Sequence, residues 1–389
     1  MSARDVVITG IGLVSCLGEG AEPHWKAFRT PSLPPPTDSE RFAPYCVHPL
    51  PEIDWSLQIP KKGDQRQMET WQRLGVYAAG LALDDAGLKS DEALCATMDM
   101  IVAAGGGERD EEVDETILEA SLARNDTGVL LNEKLTNDLR PTLFLAQLSN
   151  LMAGNISIVH KITGSSRTFM GEEGAGVSAL QTAVARLASG QSTHILVGGA
   201  FQTEHPDMLL GYELASYLHR GPWEPLWTRD GGGGGIITGS GGAFLVLETR
   251  EHAEARGGRI YAVIDKVVSG LSARSPSTFA RDIADLVGAL GAAPGQLLIS
   301  GASGAHLATT VERETLTGFS LRGFSALTGH LKEAQLPFAV ALAAMAIFKG
   351  EAPGPLADVE SPYPGAPERV LTTAVGHHRG EGAALVRKA

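Results

Sequence analysis

The chain carries the same succession of strand-like segments twice, and few architectures accommodate such a repeat. Each succession has an opening strand, two strands that end in glycine and a closing apolar strand. The runs are short, rich in β-branched residues and almost continuously apolar, which is typical of strands buried on both faces. The four segments of the first half are 6–10, 98–105, 194–200 and 242–248, and those of the second are 260–267, 296–301, 369–376 and 382–387.

Segments with helical periodicity lie between these strands. Residues 67–86 and 174–189 each carry one apolar face and are followed by a glycine that can end a helix. Residues 338–348 follow a proline and are apolar nearly all round, which predicts a helix buried on every side. Strands and helices that alternate in two matching halves predict an α/β protein with two packed sheets. The alternative is a chance likeness among ordinary α/β strands.

A charged, glycine-bearing stretch at 250–258 separates the two successions. Domain boundaries fall in such polar, exposed segments. We therefore expect an N-terminal half at 1–250 and a C-terminal half at 251–389.

The bulk composition excludes several classes of function. A net charge of −13 argues against a nucleic-acid partner, since binding to phosphates needs clustered Lys and Arg. The cysteines Cys16, Cys46 and Cys95 are an odd number without metal-type spacing, which favours the reducing cytoplasm. The longest apolar run, at 338–348, is too short to cross a bilayer, so no membrane segment is expected.

Four segments resemble the β-ketoacyl-ACP synthases, and the resemblance extends over nearly the whole chain. They are the opening strand and turn, the first long helix, the glycine-rich middle and the Thr-Gly-His-Leu segment, at Val6–Gly20, Lys62–Leu88, Trp227–Tyr261 and Thr328–Leu331. The resemblance implies a thiolase-like fold, in which two duplicated α/β halves form a five-layered αβαβα arrangement. It also implies a dimer, an active site where the halves meet, and no cofactor.

The resemblance shows that most of the family's reactive groups are absent. Members use a cysteine nucleophile, two histidines and a lysine. In the register set by the glycines at 190 and 198–199, the cysteine position holds Glu173, or Glu172 if the register shifts by one. The first histidine corresponds to Gly301 or its neighbour, the lysine to Ser325, and only the second histidine remains, as His330. Autonomous condensation is therefore not expected.

Simpler roles for the two remaining polar groups stay open. Glu173 at a helix start favours the helix dipole and is equally explained as a solvated cap. His330 is equally explained as a hydrogen-bonded core residue, since a histidine without its partners is weak support for catalysis.

The family's glycine-rich gating segment corresponds here to Gly376–Gly380, which carries His377 and His378. We expect Gly376, His378 and Phe338, which opens the buried helix, to border the acyl substrate. No metal is predicted, because the two adjacent histidines lack a third ligand.

The losses resemble those of chain-length factors, which pair with an active ketosynthase and shape its acyl tunnel, although those proteins usually carry glutamine where this chain has glutamate. The resemblance implies a heterodimer with a cysteine-bearing ketosynthase, or else a homodimer. It also implies an acidic acyl carrier protein as partner, docked on Lys61, Lys62 and Arg66. These three residues are equally explained as a solvated charge cluster.

Two other functions stay open. One is an enzyme with altered chemistry, a decarboxylase or hydrolase on acyl carrier protein substrates that uses Glu173. The other is a homodimeric protein that binds acylated carrier protein without acting on it. Neither the acyl chain length nor the pathway follows from the sequence.

Overall fold

A computed structural model of the chain describes residues 4–229 and 234–389, so residues 230–233 of the glycine-rich middle lie outside the described part. The strands are β1 (Val6–Ser15), β2 (Gly18–Glu19), β3 (Val47–His48), β4 (Asp99–Ala103), β5 (Ser166–Phe169), β6 (His194–Phe201), β7 (Thr238–Gly239), β8 (Gly241–Thr249), β9 (Ala262–Gly270), β10 (Leu297–Ser300), β11 (Ser320–Gly323), β12 (Arg369–Val375) and β13 (Glu381–Arg387).

The helices alternate with these strands. They are α1 (Ala21–Arg29), α2 (Lys62–Gln67), α3 (Thr70–Asp85), α4 (Glu92–Thr97), α5 (Glu111–Ser121), α6 (Thr127–Asn137), α7 (Pro141–Ala146), α8 (Asn150–His160), α9 (Glu173–Ser189), α10 (Pro206–Glu213), α11 (Arg250–Ala255), α12 (Pro276–Gly288), α13 (His306–Thr315), α14 (Ser325–Thr328) and α15 (Gln335–Lys349).

The strand order is the same in both halves. The first half runs β5-β4-β6-β8-β1 and the second runs β11-β10-β12-β13-β9. In each half the first three strands are parallel to one another. The fourth strand is antiparallel to the third, and the fifth is antiparallel to the fourth. The repeat found in the sequence is therefore a duplicated topology.

The two halves are joined edge to edge rather than forming separate sheets. Strands β1 and β9 pair over Val6–Ile8 and Ala262–Ile264, so that the strands form one eleven-stranded sheet. The two duplicated half-sheets expected from the sequence are therefore present, and hydrogen bonds between their opening strands make them continuous.

Two central helices contact strands of both halves. Helix α9 packs on β4 and β6 of the first half and on β9 and β13 of the second, while α15 packs on β8, β12, β13 and on α9. Helices α3 and α8 cover the outside of the first half, and α12 and α13 pack together over the second. The described residues thus form the predicted α/β layers, with α9 and α15 in the middle.

The helix predicted at 338–348 begins at Gln335, and every residue from there to Ile347 is buried. Its apolar composition on all sides follows from that position, because it has no face toward solvent. Five strands were not predicted: the two-residue strands β2, β3 and β7, and the outer strands β5 and β11. The outer two have a common reason. Each is four residues long, lies at an outer edge of the sheet and carries polar residues, so neither shows the apolar pattern of a central strand.

Within the described residues, no helix combines the length and apolar character that crossing a membrane requires.

Candidate functional site

Glu173 is the first residue of α9 and lies in the interior between the two halves. The turn before it is tight, since Gly171 and Glu172 both have positive φ angles, of 126° and 58°. For a glutamate this left-handed conformation is strained. The turn directs the side chain of Glu173 inward, where it is only 1% exposed. The interpretation of Glu173 as a solvated helix cap is therefore wrong.

Two histidines from the second half converge on this carboxylate. His330 Nε2 lies 2.9 Å from Glu173 Oε1, although it is not aligned for a hydrogen bond. His377 follows β12, and its Nδ1 lies 3.1 Å from the same oxygen. The main-chain N–H of His377 also donates to Glu173 Oε1, at 3.3 Å. We call Glu173, His330 and His377 the buried triad.

The charges of the buried triad support each other. Burial by itself raises the pKa of Glu173, but the nearby His330 and His377 outweigh it and hold the pKa well below its usual range. Burial likewise lowers the pKa of His377, but the hydrogen bond and charge of Glu173 outweigh it and raise this pKa. Contact between Glu173 and His377 therefore favours the charged form of each.

Several polar atoms around the triad lack hydrogen-bond partners. Glu173 Oε2, the hydroxyl of Tyr212 and both ring nitrogens of His330 are buried and unpaired among the described residues. The Tyr212 ring lies edge-on to His330 and tilted toward His377, with centroid distances of 6.1 and 5.1 Å, and Tyr217 lies 4.9 Å from His377. Buried polar atoms are usually paired, so this environment has unused capacity to bind a ligand.

The positions of the lost histidine and lysine are closed by Gln335. Its amide nitrogen donates to the carbonyl of Gly301 at 3.0 Å and to Ser325 Oγ at 2.7 Å. Its amide oxygen accepts from the main-chain N–H of Leu331 at 2.8 Å. A Cβ atom on Gly301 would lie 2.5 Å from the Thr373 carbonyl and 3.0 Å from Gln335 Cγ. A histidine at Gly301 therefore does not fit without movement of these neighbours.

No cysteine sulfur joins the buried triad among the described residues. All three thiols are free and buried. Cys16 donates to the carbonyl of Leu327, and burial raises its pKa to about 12. Burial also raises the pKa of Cys46 and Cys95. Because the thiolate is the reactive form, none of them is suited to act as nucleophile.

The segment after β12 connects the triad to the surface. His377 is buried, whereas His378 and Arg379 are exposed and border an open cavity of about 470 Å³. Arg274 lies on the same cavity and donates to the carbonyl of Gly376. Gly376 and His378 are thus close to a solvent-open pocket, and their contact with substrate stays a prediction.

Phe338 lies in the apolar interior, between His24 and Phe324. Its ring stacks on Phe324 at 5.3 Å and meets His24 edge-on at 5.4 Å. It is fully buried, and its proposed place beside an acyl tunnel stays a prediction.

Lys61, Lys62 and Arg66 lie at the surface, on and just before α2. Lys62 and Arg66 are four residues apart and share one face of that helix. No ion pair joins any of the three to another described residue, so they present a basic patch toward solvent. Its role in docking stays a prediction.

The sequence reasoning missed Gln335 and Tyr212 as parts of this site. Gln335 carried a usable signal, because it is a polar residue that opens an otherwise apolar helix. Tyr212 carried none, since an aromatic residue in a short helix is common. The absence of a third metal ligand was judged from His377 and His378 alone, and the fold instead groups His377 with His330 and Glu173.

Comparison with known proteins supports the architecture and the sequence motifs. The family described as "Beta-ketoacyl synthase, N-terminal domain" matches residues 3–253. The 3-oxoacyl-[acyl-carrier-protein] synthase 2 of Vibrio harveyi is 29% identical over 269 residues, 67% of this chain and 62% of the relative. The tetracenomycin polyketide synthase ketoacyl synthase beta subunit of Streptomyces glaucescens is 27% identical over 263 residues, 64% of this chain and 60% of the relative.

These matches span about three fifths of the length of each relative. Among solved structures, the ishigamide ketosynthase/chain length factor superposes with a TM-score of 0.78 over 100% of both chains, at 20% identity. At that identity the structural likeness shows a shared fold, which is the thiolase-like arrangement expected from the sequence.

Proposed function

The chain belongs to the β-ketoacyl synthase family, and we propose that it is a non-condensing partner subunit of the chain-length-factor type. In this role it pairs with a cysteine-bearing ketosynthase and shapes the tunnel that holds a long acyl chain. The setting is fatty acid or polyketide synthesis in the cytoplasm, with an acyl carrier protein delivering the substrates.

The observation that carries this proposal is the buried carboxylate of Glu173 at the start of α9. Condensation begins when a thiolate takes the acyl group as a thioester. Glu173 is held ionised by His330 and His377, and a carboxylate in that state does not form a thioester. Gln335 is hydrogen-bonded to Gly301 and Ser325, which stand where the family has its first histidine and its lysine. A cysteine at position 173 would therefore not be enough to restore the reaction.

The surface supports association with a partner. Strand β5 is the outer strand of the sheet and pairs only with β4 among the described strands. Met170, the residue after β5, is an apolar side chain that is 66% exposed, and the segment between β4 and β5 exposes three more apolar side chains, Leu118, Leu122 and Phe144. An unpaired strand edge and exposed apolar side chains are features that proteins cover by association. One relative, the Streptomyces glaucescens protein, is itself named as a beta subunit.

The basic patch of Lys61, Lys62 and Arg66 supports docking of the carrier protein. Carrier proteins of this family are acidic, and complementary charges raise the rate of encounter. Because these cations are exposed and have no ion pair among the described residues, they are available to a partner. Their replacement by glutamate is expected to weaken carrier binding, and the difference from the unmodified chain is expected to shrink at high salt.

Co-expression with a cysteine-bearing ketosynthase from the same organism tests the proposal. We expect the two chains to co-purify as a heterodimer and condensation to require both. The control is the same mixture in which the ketosynthase cysteine is replaced by alanine, which should be inactive. Condensation by this chain alone, or failure of the two chains to associate, would contradict the proposal.

Glu173→Cys provides a second test. The new thiol would lie beside His330 and at a helix start, so we expect it to react rapidly with iodoacetamide. We still expect no condensation by the variant alone, since Gly301 and Ser325 replace the other reactive groups. A condensing variant would show that the loss of sulfur was the only change that mattered.

A different function, altered chemistry on carrier-bound substrates, is favoured by one observation. Glu173 Oε2 has no hydrogen-bond partner among the described residues, which leaves it available to act as a base or nucleophile. Hydrolysis or decarboxylation of an acyl or malonyl carrier protein by the chain alone, abolished by Glu173→Gln, would establish it. Binding of acylated carrier protein by a homodimer without turnover would instead identify a binding protein.

A further inference from the structure

We propose that Glu173, His330 and His377 form a binding site for a divalent transition metal ion, with Zn²⁺ as the best-suited candidate. Each of the three residues offers one donor atom, and these three atoms all lie within 4.8 Å of one another. One carboxylate and two imidazoles are a ligand set that Zn²⁺ uses when one coordination position stays open. This inference does not depend on the proposed partner role.

The distances fit a metal ion after a small opening of the cluster. When donors lie about 2.1 Å from a tetrahedral ion, neighbouring donors are about 3.4 Å apart. The distances from Glu173 Oε1 are 2.9 Å to His330 Nε2 and 3.1 Å to His377 Nδ1. A shift of a few tenths of an ångström at each side chain therefore makes room for the ion.

The unpaired atoms point to a missing ligand. His330 is fully buried, and neither ring nitrogen has a hydrogen-bond partner among the described residues, while the second oxygen of Glu173 is also unpaired. Leaving such groups unsatisfied costs free energy that native structures usually avoid. A metal ion would bind His330 Nε2 and the carboxylate at once. The unpaired hydroxyl of Tyr212 could then bond a water molecule on the ion.

The carboxylate of Glu172 contacts the ring nitrogen of His377 that does not face Glu173. Glu172 Oε2 lies 3.4 Å from His377 Nε2, the ring nitrogen that faces away from the triad. In metal sites such a second carboxylate commonly orients the histidine and increases its basicity. This arrangement explains the strained backbone of Glu172. The same turn places Glu172 beside Nε2 of His377 and Glu173 beside Nδ1 of the same ring.

The local charge also favours a dication. Lys332 is the cation whose charge interacts with Glu172, Glu173 and Glu333 together. A metal ion bound to neutral His377 would replace the proton of that ring and keep positive charge beside Glu172 and Glu173. The cavity bordered by His377, His378 and Arg274 leads from solvent toward the triad and gives the ion a path of entry.

Metal analysis of the purified chain tests the site. The protein is stripped with EDTA, incubated with Zn²⁺, desalted and measured by mass spectrometry of the metal, and Co²⁺ loading is followed by visible absorption. We expect one equivalent of Zn²⁺ and a tetrahedral Co²⁺ spectrum. Glu173→Gln and His377→Ala are each expected to weaken binding by roughly tenfold or more.

Two matched variants separate this site from surface binding. His378→Ala removes the exposed neighbour of His377, and His205→Ala removes the centre of the half-exposed group formed with Glu111 and Asp207. Both are expected to bind Zn²⁺ as the unmodified chain does. Far-ultraviolet circular dichroism of each variant confirms that it is folded.

The proposal is overturned by any of three results. These are less than a tenth of an equivalent of Zn²⁺ in the unmodified chain, unchanged affinity in folded Glu173→Gln, or loss of binding in His205→Ala. In the first two cases the triad is a plain buried ion pair with a protonated His377. In the third, the measured metal belongs to the surface group.

Discussion

Helices α9 and α15 occupy equivalent places in the two halves, but their first residues meet opposite surroundings. Each helix follows the outer strand of its half, β5 or β11, and precedes the next parallel strand. Helix α9 begins with Glu173, a carboxylate that contacts two histidines and keeps an unpaired oxygen. Helix α15 begins with Gln335, a neutral amide whose two donor hydrogens and acceptor oxygen are all bonded.

The difference separates a structural residue from a candidate functional one. A helix start leaves main-chain N–H groups unpaired, so a polar first residue is natural in both halves. Gln335 uses its whole capacity to join Gly301, Ser325 and Leu331, and it thereby closes the place of the lost reactive groups. Glu173 keeps charge and unused capacity in a buried environment, which is the combination found at binding and catalytic sites.

The buried groups near Gln335 extend the contrast. Glu312 accepts from Ser300 and Thr373, and burial raises its pKa despite those bonds. Burial therefore favours the neutral form of Glu312, so that both Glu312 and Gln335 place uncharged groups around Gly301. At the start of α9, in contrast, the pKa shifts of Glu173 and His377 favour their charged forms. Exchanging a carboxylate for an amide at either helix start, or the reverse, tests how strictly each helix start requires its own group.

The largest effect is expected from Gln335→Glu. The new carboxylate would face the carbonyl of Gly301, and one donor group would be lost. The hydrogen-bond partners of Gln335 among the described residues include no cation that could balance the charge. An uncompensated buried charge costs about 3–5 kcal/mol, and we expect the free energy of unfolding to fall by that amount. Urea unfolding at neutral pH measures it. An unchanged midpoint of urea unfolding would show that a charge is tolerated next to Gly301. The starts of α9 and α15 would then not differ in the charge that they accept.

A smaller effect is expected from Glu173→Gln. The amide still accepts from His377, and the histidine can release its proton, so no isolated charge remains. We expect a loss of about 1–3 kcal/mol, the cost of buried groups left without suitable partners. The same urea experiment, performed without metal, measures it. A loss larger than that of Gln335→Glu would reverse the ranking and identify the triad as the main stabilising contact of the interior.

The smallest effect is expected from Glu312→Gln, and it depends on pH. The folded pKa of Glu312 is raised above the ordinary value of 4.5, so the unfolded chain releases this proton first as pH rises. Glu312 therefore lowers stability progressively from about pH 4.5 up to its folded pKa, by about 1.4 kcal/mol for each pH unit between the unfolded and folded pKa values.

The amide of the variant does not titrate in this range. We expect Glu312→Gln to lose this pH dependence and to match or exceed the stability of the unmodified chain at pH 7. Thermal or urea unfolding at several pH values between 4 and 8 measures both. Parallel pH profiles of the two proteins would show that the pKa of Glu312 is not raised by folding, and would contradict the prediction.

Most of the fold was predictable because burial leaves a clear pattern in the chain. All eight strand segments of the repeat are strands, and the apolar run after Pro337 is the buried helix α15. The edge strands β5 and β11 escaped prediction because polar edge strands lack that pattern. The boundary between 250 and 251 stays a prediction.

The sequence by itself determined the duplicated α/β architecture, the family and the replacement of the nucleophile position by Glu173, because strand burial and motif spacing are local properties of the chain. Only the tertiary structure decided which side chains meet. His330 and His377 lie more than 150 residues from Glu173 along the chain, and Gln335 reaches Gly301 across another strand. Such contacts depend on how the halves pack, and local patterns contain no record of distances between remote residues.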